Sequence, residues 1–459
     1  MKITLCKPVF ALVLALFGSI SSAVASPTQI QFWTMQLSPF HDEYVNGLID
    51  EFERRHPDVR VKWVDVPWKE MEKKMLASVA AGTAPDVVNL NPQFAAKLAE
   101  FGALANPEHF LSERQVAEYL PNIWKANRFE GEAFAVPWYL STTITIYNQT
   151  LLDRAGVSVP ANFSELLTAA RQLQLKLDKY AYFPAMDGSR PLENLAATGV
   201  PLLSEEGNAA GFDSEAGLAF FRFNRDLYQQ GLIPRNVLTE GHHKAVDLFQ
   251  SGQVALITTG MQFLQTIRTN APELYASVGV APQLKKPSSK SNVAVMNLAV
   301  PKMSAHKKVA FDFAAFVTSH ENQMALARRI PLLPSTAKSY QDPFFALPEN
   351  PSLVERARAI SAKQVLSGGV LVPPLPKYSK LKTSFVFNLQ SAMVGKITVE
   401  EALERTSKTW SLFLQSREDT KVSNKAGSNT GAKADSNDGP RANADQADAK
   451  AAAMEQRHG

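Results

Sequence analysis

The chain has a single cysteine, Cys6, in 459 residues. That excludes a disulfide-stapled scaffold and a cysteine-ligated metal centre. An excess of one charge is also missing, with 48 Lys and Arg against 44 Asp and Glu. Two of the cations, Lys2 and Lys7, lie at the N-terminus, so the formal +4 falls to 4 − 2 = +2 when they are set aside. A nucleic-acid binder needs a concentrated basic footprint, and this composition argues for none. Catalytic signatures are absent too: no His-Glu-x-x-His, no Gly-x-Ser-x-Gly, no phosphate loop and no Gly-x-Gly-x-x-Gly. The adjacent pair His242-His243 reads as solvated residues ahead of a helix, because zinc needs ligands converging on one point. Carboxylates are plentiful, but no pair stands out as acid and nucleophile. Neither catalysis, a cofactor nor a metal is therefore expected. No apolar run reaches the roughly 20 residues of a membrane span.

What is present is an ordinary globular composition, 45% hydrophobic and 20% charged, enough to bury a large core. Lys2 and Lys7 precede the apolar run Val9 to Ile20, and Ala23-Val24-Ala25 comes after it. This is the pattern of a secretory signal peptide over residues 1–25. Cys6 lies before the apolar run and no cysteine lies beyond it. An exported, periplasmic protein without a lipid anchor is expected.

Strand and helix periodicities then alternate. Strands are read at Thr28 to Trp33, Val59 to Val66 and Asp86 to Leu90, each followed by an apolar stripe at helical spacing. Such a β-α-β-α rhythm argues parallel sheets flanked by helices. A further strand is read over Ala133 to Val136, with Trp138-Tyr139 after it, and another over Thr142 to Tyr147. Asn162-Phe163-Ser164-Glu165 reads as a helix start. From about Glu418 the composition collapses to small and polar residues, and residues 418–459 read as a disordered low-complexity tail.

Aromatic and amide residues fall where these strands end. Trp33 closes the first, Trp68 comes after the second, Asn91 after the third, and Trp138 with Tyr139 after the strand before the pattern changes. In an open parallel sheet, ligands bind beyond the carboxyl ends of the strands. Indole faces cover the apolar faces of sugars, while amides and carboxylates fix hydroxyls, so a carbohydrate cleft is expected. Trp63 and Trp124 read instead as packing residues.

Several stretches resemble the maltose-binding-like family of solute-binding proteins from ATP-driven sugar importers. Trp68-Lys69-Glu70-Met71 leading into Ala80-Ala81-Gly82-Thr83-Ala84-Pro85-Asp86-Val87-Val88 is similar to its most recognisable segment. Phe134-Ala135-Val136-Pro137, Tyr147-Asn148, Phe249-Gln250-Ser251-Gly252, Leu298-Ala299-Val300 and Leu333-Pro334-Ser335 continue in family order. The resemblance implies a two-lobed type II periplasmic-binding-protein fold, each lobe a mainly parallel α/β sheet. It places one lobe at 26–138 and 297–338 and the other at 139–296 and 339–417. Three crossings are implied, near Trp138 to Thr142, Val293 to Asn297 and Lys338 to Pro343. It implies a catalytically inert monomer that closes on a carbohydrate and delivers it to an inner-membrane ABC permease. The implied contacts are Trp33, Trp68, Trp138 and Tyr139 for stacking, Gln36, Asn91, Asp187 and Asn297 for hydroxyls, and Gly260 with Met261 for close backbone approach. Asp187 rests on its place after Phe183-Pro184. Met296-Asn297 and Met261-Gln262 depart from the family pattern, which points to a small or polar ligand. The alternatives are a binder of glycerol 3-phosphate or another anionic solute, with Arg190 as the best cation for it, and a periplasmic carbohydrate-processing enzyme.

Overall fold

The computed structural model describes residues 26–428 except Gly188, with the side chains of 416–428 left aside. The expected signal segment and the end of the expected tail, 429–459, lie outside the described residues. Among the described residues, no helix is long and apolar enough to cross a membrane.

Among the described residues, eleven strands form two sheets and a small hairpin. In chain order they are β1 (Thr28–Met35), β2 (Val59–Val66), β3 (Val87–Leu90), β4 (Arg128–Phe129), β5 (Glu132–Ala133) and β6 (Val136–Thr142), then β7 (Ile144–Asn148), β8 (Leu256–Thr259), β9 (Val278–Ala281), β10 (Val293–Ala299) and β11 (Leu333–Pro334). The first sheet runs β11-β6-β10-β3-β1-β2, the second β8-β7-β9, and β4 pairs with β5.

The pairing corrects one expectation. Among the described strand pairs, only β1-β2 and β1-β3 are parallel; β10 runs antiparallel to both β3 and β6, and β11 to β6. In the second sheet β7 is antiparallel to both neighbours. Parallel pairing holds where helices intervene, and it gives way where long excursions bring the chain back from the other side. The α/β architecture itself is as expected, mixed sheets with flanking helices.

The periodicities explain the layers. Along β1, Ile30 and Phe32 face one core cluster and Trp33 and Met35 another, as a period of two demands. The first face is covered by α1 (Asp42–Arg55), through Val45, Leu48 and Phe52, and by helix Lys307–Val317, through Phe313 and Val317. The second is covered by α2 (Trp68–Ala80), through Met71 and Met75, and α3 (Pro92–Glu100), through Phe94 and Leu98. Gly82, at φ +71, turns the chain out of α2. The Asn91 side chain accepts the Phe94 N–H and Pro92 opens the first turn, so α3 starts at once.

A third cluster fills the space around the second sheet and the C-terminal helices, including Phe212, Phe221, Phe385 and Trp410. Asn162 caps helix Phe163–Leu177, as its spacing predicts. The last helix, Val399–Ser428, runs past Glu418, so the segment 418–428 is helical rather than disordered.

The chain passes between the sheets three times. It leaves the first at Thr143, between β6 and β7, returns over 282–292 to β10, and leaves again after β11. The expected lobe boundaries at 138/139 and 296/297 thus fall inside β6 and β10, which pair with each other from Val136 to Thr142.

Candidate functional site

A cleft of about 360 Å³ opens beside these crossings. Its walls come from α2 (Trp68), the end of β6 (Ser141 to Thr143), the segment Asp187 to Glu193, His242, the end of β8 with the turn beyond it (Thr259, Gly260, Gln262 and Phe263), and the start of β10 with Asn292. Every wall lies at a strand end or a helix start, where unpaired backbone groups and short side chains leave room for a ligand.

Its polar groups are held in place. The Asp187 carboxylate accepts the backbone N–H of His242 at 3.1 Å, and its other oxygen lies 2.5 Å from His242 Nδ1. Burial on its own would raise the Asp187 pKa, but the hydrogen bonds and charge supplied by His242 outweigh it and hold the carboxyl below its ordinary 3.8. The His242 ring lies tilted against His243, centroids 4.2 Å apart, and meets the edge of Phe263. Arg190 donates to Thr143 Oγ1 at 2.7 Å and lies 3.8 Å from Glu193. Ser189 donates to the same Glu193. Two carboxylates, Asp187 and Glu193, therefore share the wall with one guanidinium, and the three together offer no net positive charge to an anion.

Two polar atoms on this wall, Thr259 Oγ1 and Gln262 Oε1, are buried without a hydrogen-bond partner. Trp68 is 44% exposed and presents the only strongly exposed tryptophan face among the described residues. Gly260 lets the Gln262 amide lie against the backbone, because a Cβ there would sit 2.1 Å from Oε1.

A second compartment of about 580 Å³ lies between α3 and the start of helix Tyr378–Met393 and shares Ser189 with the first. Asn91, Gln93, Lys97 and Tyr378 line it. Both oxygens of the Glu100 carboxylate accept the Lys377 backbone N–H at 3.1 Å.

Of the ten expected contacts, Trp68, Asp187 and Gly260 come together in the first compartment, and Asn91 lines the second. The others are elsewhere. Trp33, 6% exposed, is packed under α2 and α3 with the Lys74 ammonium 4.4 Å from its ring centre. Trp138 is fully buried, 6.2 Å from the Phe32 ring, because it lies within β6 rather than after a strand. Tyr139 packs edge-on against it at 5.0 Å. Met261 is buried in the core beside the second sheet. Asn297 is fully buried and joins an amide ladder: Asn127 donates to its Oδ1, and Asn89 donates to its carbonyl at 3.2 Å. Gln36 is exposed on the loop after β1, at φ +54, and lines neither compartment.

Several cleft residues carry no sequence signal. His242, expected to be solvated ahead of a helix, is instead the first residue of helix His242–Gln250 and pairs with Asp187. Thr143 and Asn292 belong to no motif, whereas Gln262 stands at the Met261-Gln262 departure from the family pattern. The Asp-His pair, 55 positions apart, has no local signature. Among the described residues, no group of three or more His, Cys, Asp or Glu side chains could hold a metal ion.

Comparison with known proteins agrees with this architecture. A crystal structure of an oligosaccharide periplasmic-binding protein, so described provisionally, from Synechococcus sp. MITs9220 in complex with zinc superposes with a TM-score of 0.79 at 36% identity. The match covers 84% of this chain and 99% of that one. The galactooligosaccharide-binding protein of Bacillus subtilis is 22% identical over 80% of this chain and 86% of its own length. The mannitol-binding protein of Pseudomonas aeruginosa is 23% identical over 77% and 86%. The family model for bacterial extracellular solute-binding proteins matches residues 41–324, and the chain belongs to that family.

Proposed function

We propose that this chain is the periplasmic binding component of an ABC importer for a neutral carbohydrate or glycosyl-polyol, held in the cleft between two lobes. The observation that carries the reading is the chemistry of the cleft wall. A half-exposed indole, Trp68, shares one small cavity with Asp187, His242, Thr143, Gln262 and Asn292. An indole covers the C–H face of a sugar ring, and fixed acceptors and donors read its hydroxyls. Relatives named for a galactooligosaccharide and for mannitol point to the same class of ligand.

The lobes divide where the chain passes between the two sheets, at Thr143, over 282–292 and after β11, a few residues from the 138/139, 296/297 and 338/339 expected from sequence, with the pivot at Thr142 to Ile144 and its partner strand. Closure buries the ligand and creates a surface that an inner-membrane permease reads. The protein acts as a monomer, returns its ligand unchanged and has no catalytic role. Export leaves it free of a lipid anchor, since Cys6 precedes the apolar run.

An anionic solute is the weaker reading. Arg190 is already engaged by Thr143 and Glu193, and Asp187 lies on the same wall. A thermal-unfolding screen separates the two. Neutral mono- and disaccharides, glycosyl-polyols and mannitol are expected to raise the melting temperature, because a ligand at one hundred times Kd stabilises by about 2.7 kcal/mol. Stabilisation by glycerol 3-phosphate and other phosphorylated solutes, with none by neutral sugars, would overturn the neutral-sugar assignment.

A further inference from the structure

Beside the crossings, one buried amide ties two of them to the helix that follows the third. Gln364 lies on helix Leu353–Ser367, beyond the third crossing, and is 5% exposed. Its Nε2 donates to Thr142 Oγ1 at 3.1 Å and to the Thr143 carbonyl at 2.8 Å, on the first crossing. Its Oε1 accepts the backbone N–H of Gln283 at 2.7 Å, on the second. The pattern continues outward. Gln283 Oε1 accepts the Asn292 N–H at 2.7 Å, Thr142 Oγ1 donates to the Asn292 carbonyl at 2.7 Å, and Asn292 Oδ1 accepts the Leu371 N–H at 3.2 Å. Thr142, Gln283 and Asn292 are each 5 to 6% exposed.

A primary amide offers two donors and an acceptor oxygen, and Gln364 spends all of them on backbone or hydroxyl groups of other segments. Buried polar groups of this kind are costly to leave unpaired, so the crossings cannot slide independently without breaking several bonds at once. Two members of the knot, Thr142 and Asn292, also line the ligand cleft, as does Thr143, whose hydroxyl receives Arg190. The cleft wall and the hinge are therefore built from the same residues.

We propose that Gln364 is a positioning residue that locks the first two crossings to helix Leu353–Ser367 as a single pivot and sets the resting angle between the lobes, so that occupancy of the cleft is transmitted to lobe closure through Thr142, Thr143 and Asn292. The inference rests on the two-lobed closing motion proposed above and adds the residue that governs it. A knot of this type joins two flexible connections and the helix after the third into one bistable element, which is what a hinge needs in order to respond sharply to a ligand.

The test uses paired spin labels on the full chain with Cys6 replaced, at Lys73→Cys on α2 and Thr266→Cys on helix Phe263–Asn270, both exposed. Pulsed dipolar spectroscopy then reads the distance between the lobes without ligand. The unaltered background is expected to show one narrow distribution, and Gln364→Leu to broaden it to roughly twice that width as the crossings uncouple. Leu166→Ala, in the core of helix Phe163–Leu177, supplies a comparable loss of melting temperature and is expected to leave the distribution narrow. Should Gln364→Leu fail to fold, Thr142→Val removes a single hydroxyl of the knot and is expected to broaden the distribution by a smaller amount. A foldable Gln364→Leu, or Thr142→Val in its place, with the unaltered width overturns the proposal and leaves these residues as packing alone. A background distance that stays fixed when a stabilising sugar from the thermal screen is added contradicts lobe closure itself, which is a separate failure.

Discussion

Asp187 and His242 are joined twice: the carboxylate accepts the His242 backbone N–H at 3.1 Å and pairs with its ring Nδ1 at 2.5 Å. One bond fixes the start of helix His242–Gln250, the other fixes the ring, and together they hold one corner of the cleft.

The pair carries a pH signature. The Asp187 pKa in the folded chain lies below its ordinary 3.8. A depressed carboxyl contributes stability that is present above the unfolded pKa and lost as pH falls through the folded one. Asp187→Asn is therefore expected to lower the melting temperature at neutral pH, and the gap from the unaltered chain is expected to close below pH 3.8. Melting curves over pH 2.5 to 7 check this, the range being on the order of the carboxylate span. A gap that stays constant into acid would show that the charge on the Asp187 carboxyl contributes nothing.

Two tryptophans separate site from core. Trp68→Ala removes a 44% exposed ring from the cleft. It is expected to weaken sugar binding at least tenfold, about 1.4 kcal/mol, while the ligand-free melting temperature hardly moves. Trp138→Ala empties a fully buried position and is expected to cost about 3–5 kcal/mol of stability. Calorimetric titration and denaturant unfolding of both variants read the two effects side by side.

Gly260 tests the cleft from the backbone side. An added Cβ would lie 2.1 Å from Gln262 Oε1 and 2.6 Å from Nε2. Since that amide is the end of a flexible side chain, Gly260→Ala is expected to push it into the cleft rather than distort the strand. The outcome is weaker sugar binding, roughly tenfold, with a melting temperature within a few degrees of the unaltered chain. Unchanged affinity would place Gln262 outside the contact surface.

Much of this architecture is legible in the sequence, for identifiable reasons. The β-α alternation from Thr28 to Phe101 shows because each element buries one face and keeps its period. Trp68 is legible as a rim residue because Pro67 starts α2 just beyond β2. Trp138 and Tyr139 are not, because six of the seven β6 residues are buried and such a strand has no alternation to reveal where it ends. Trp33 has the sequence position of a rim residue, but α2 and α3 close over its face. Asn297 has the chemistry of a ligand contact, yet it is spent inside the molecule, accepting hydrogen bonds from the Asn89 and Asn127 amides. His242 and Gln364 act through partners 55 and 222 positions away, which periodicity cannot pair.

The central claim is that the cleft beside Trp68 holds a neutral sugar and releases it intact. Calorimetric titration with the most stabilising sugar of the thermal screen, then chromatography of the recovered ligand, tests it most directly. The account predicts one site per chain, affinity lost in Trp68→Ala and Asp187→Asn, and sugar recovered unchanged after prolonged incubation. Binding that survives both substitutions undiminished, or a sugar returned as cleaved product, would contradict it.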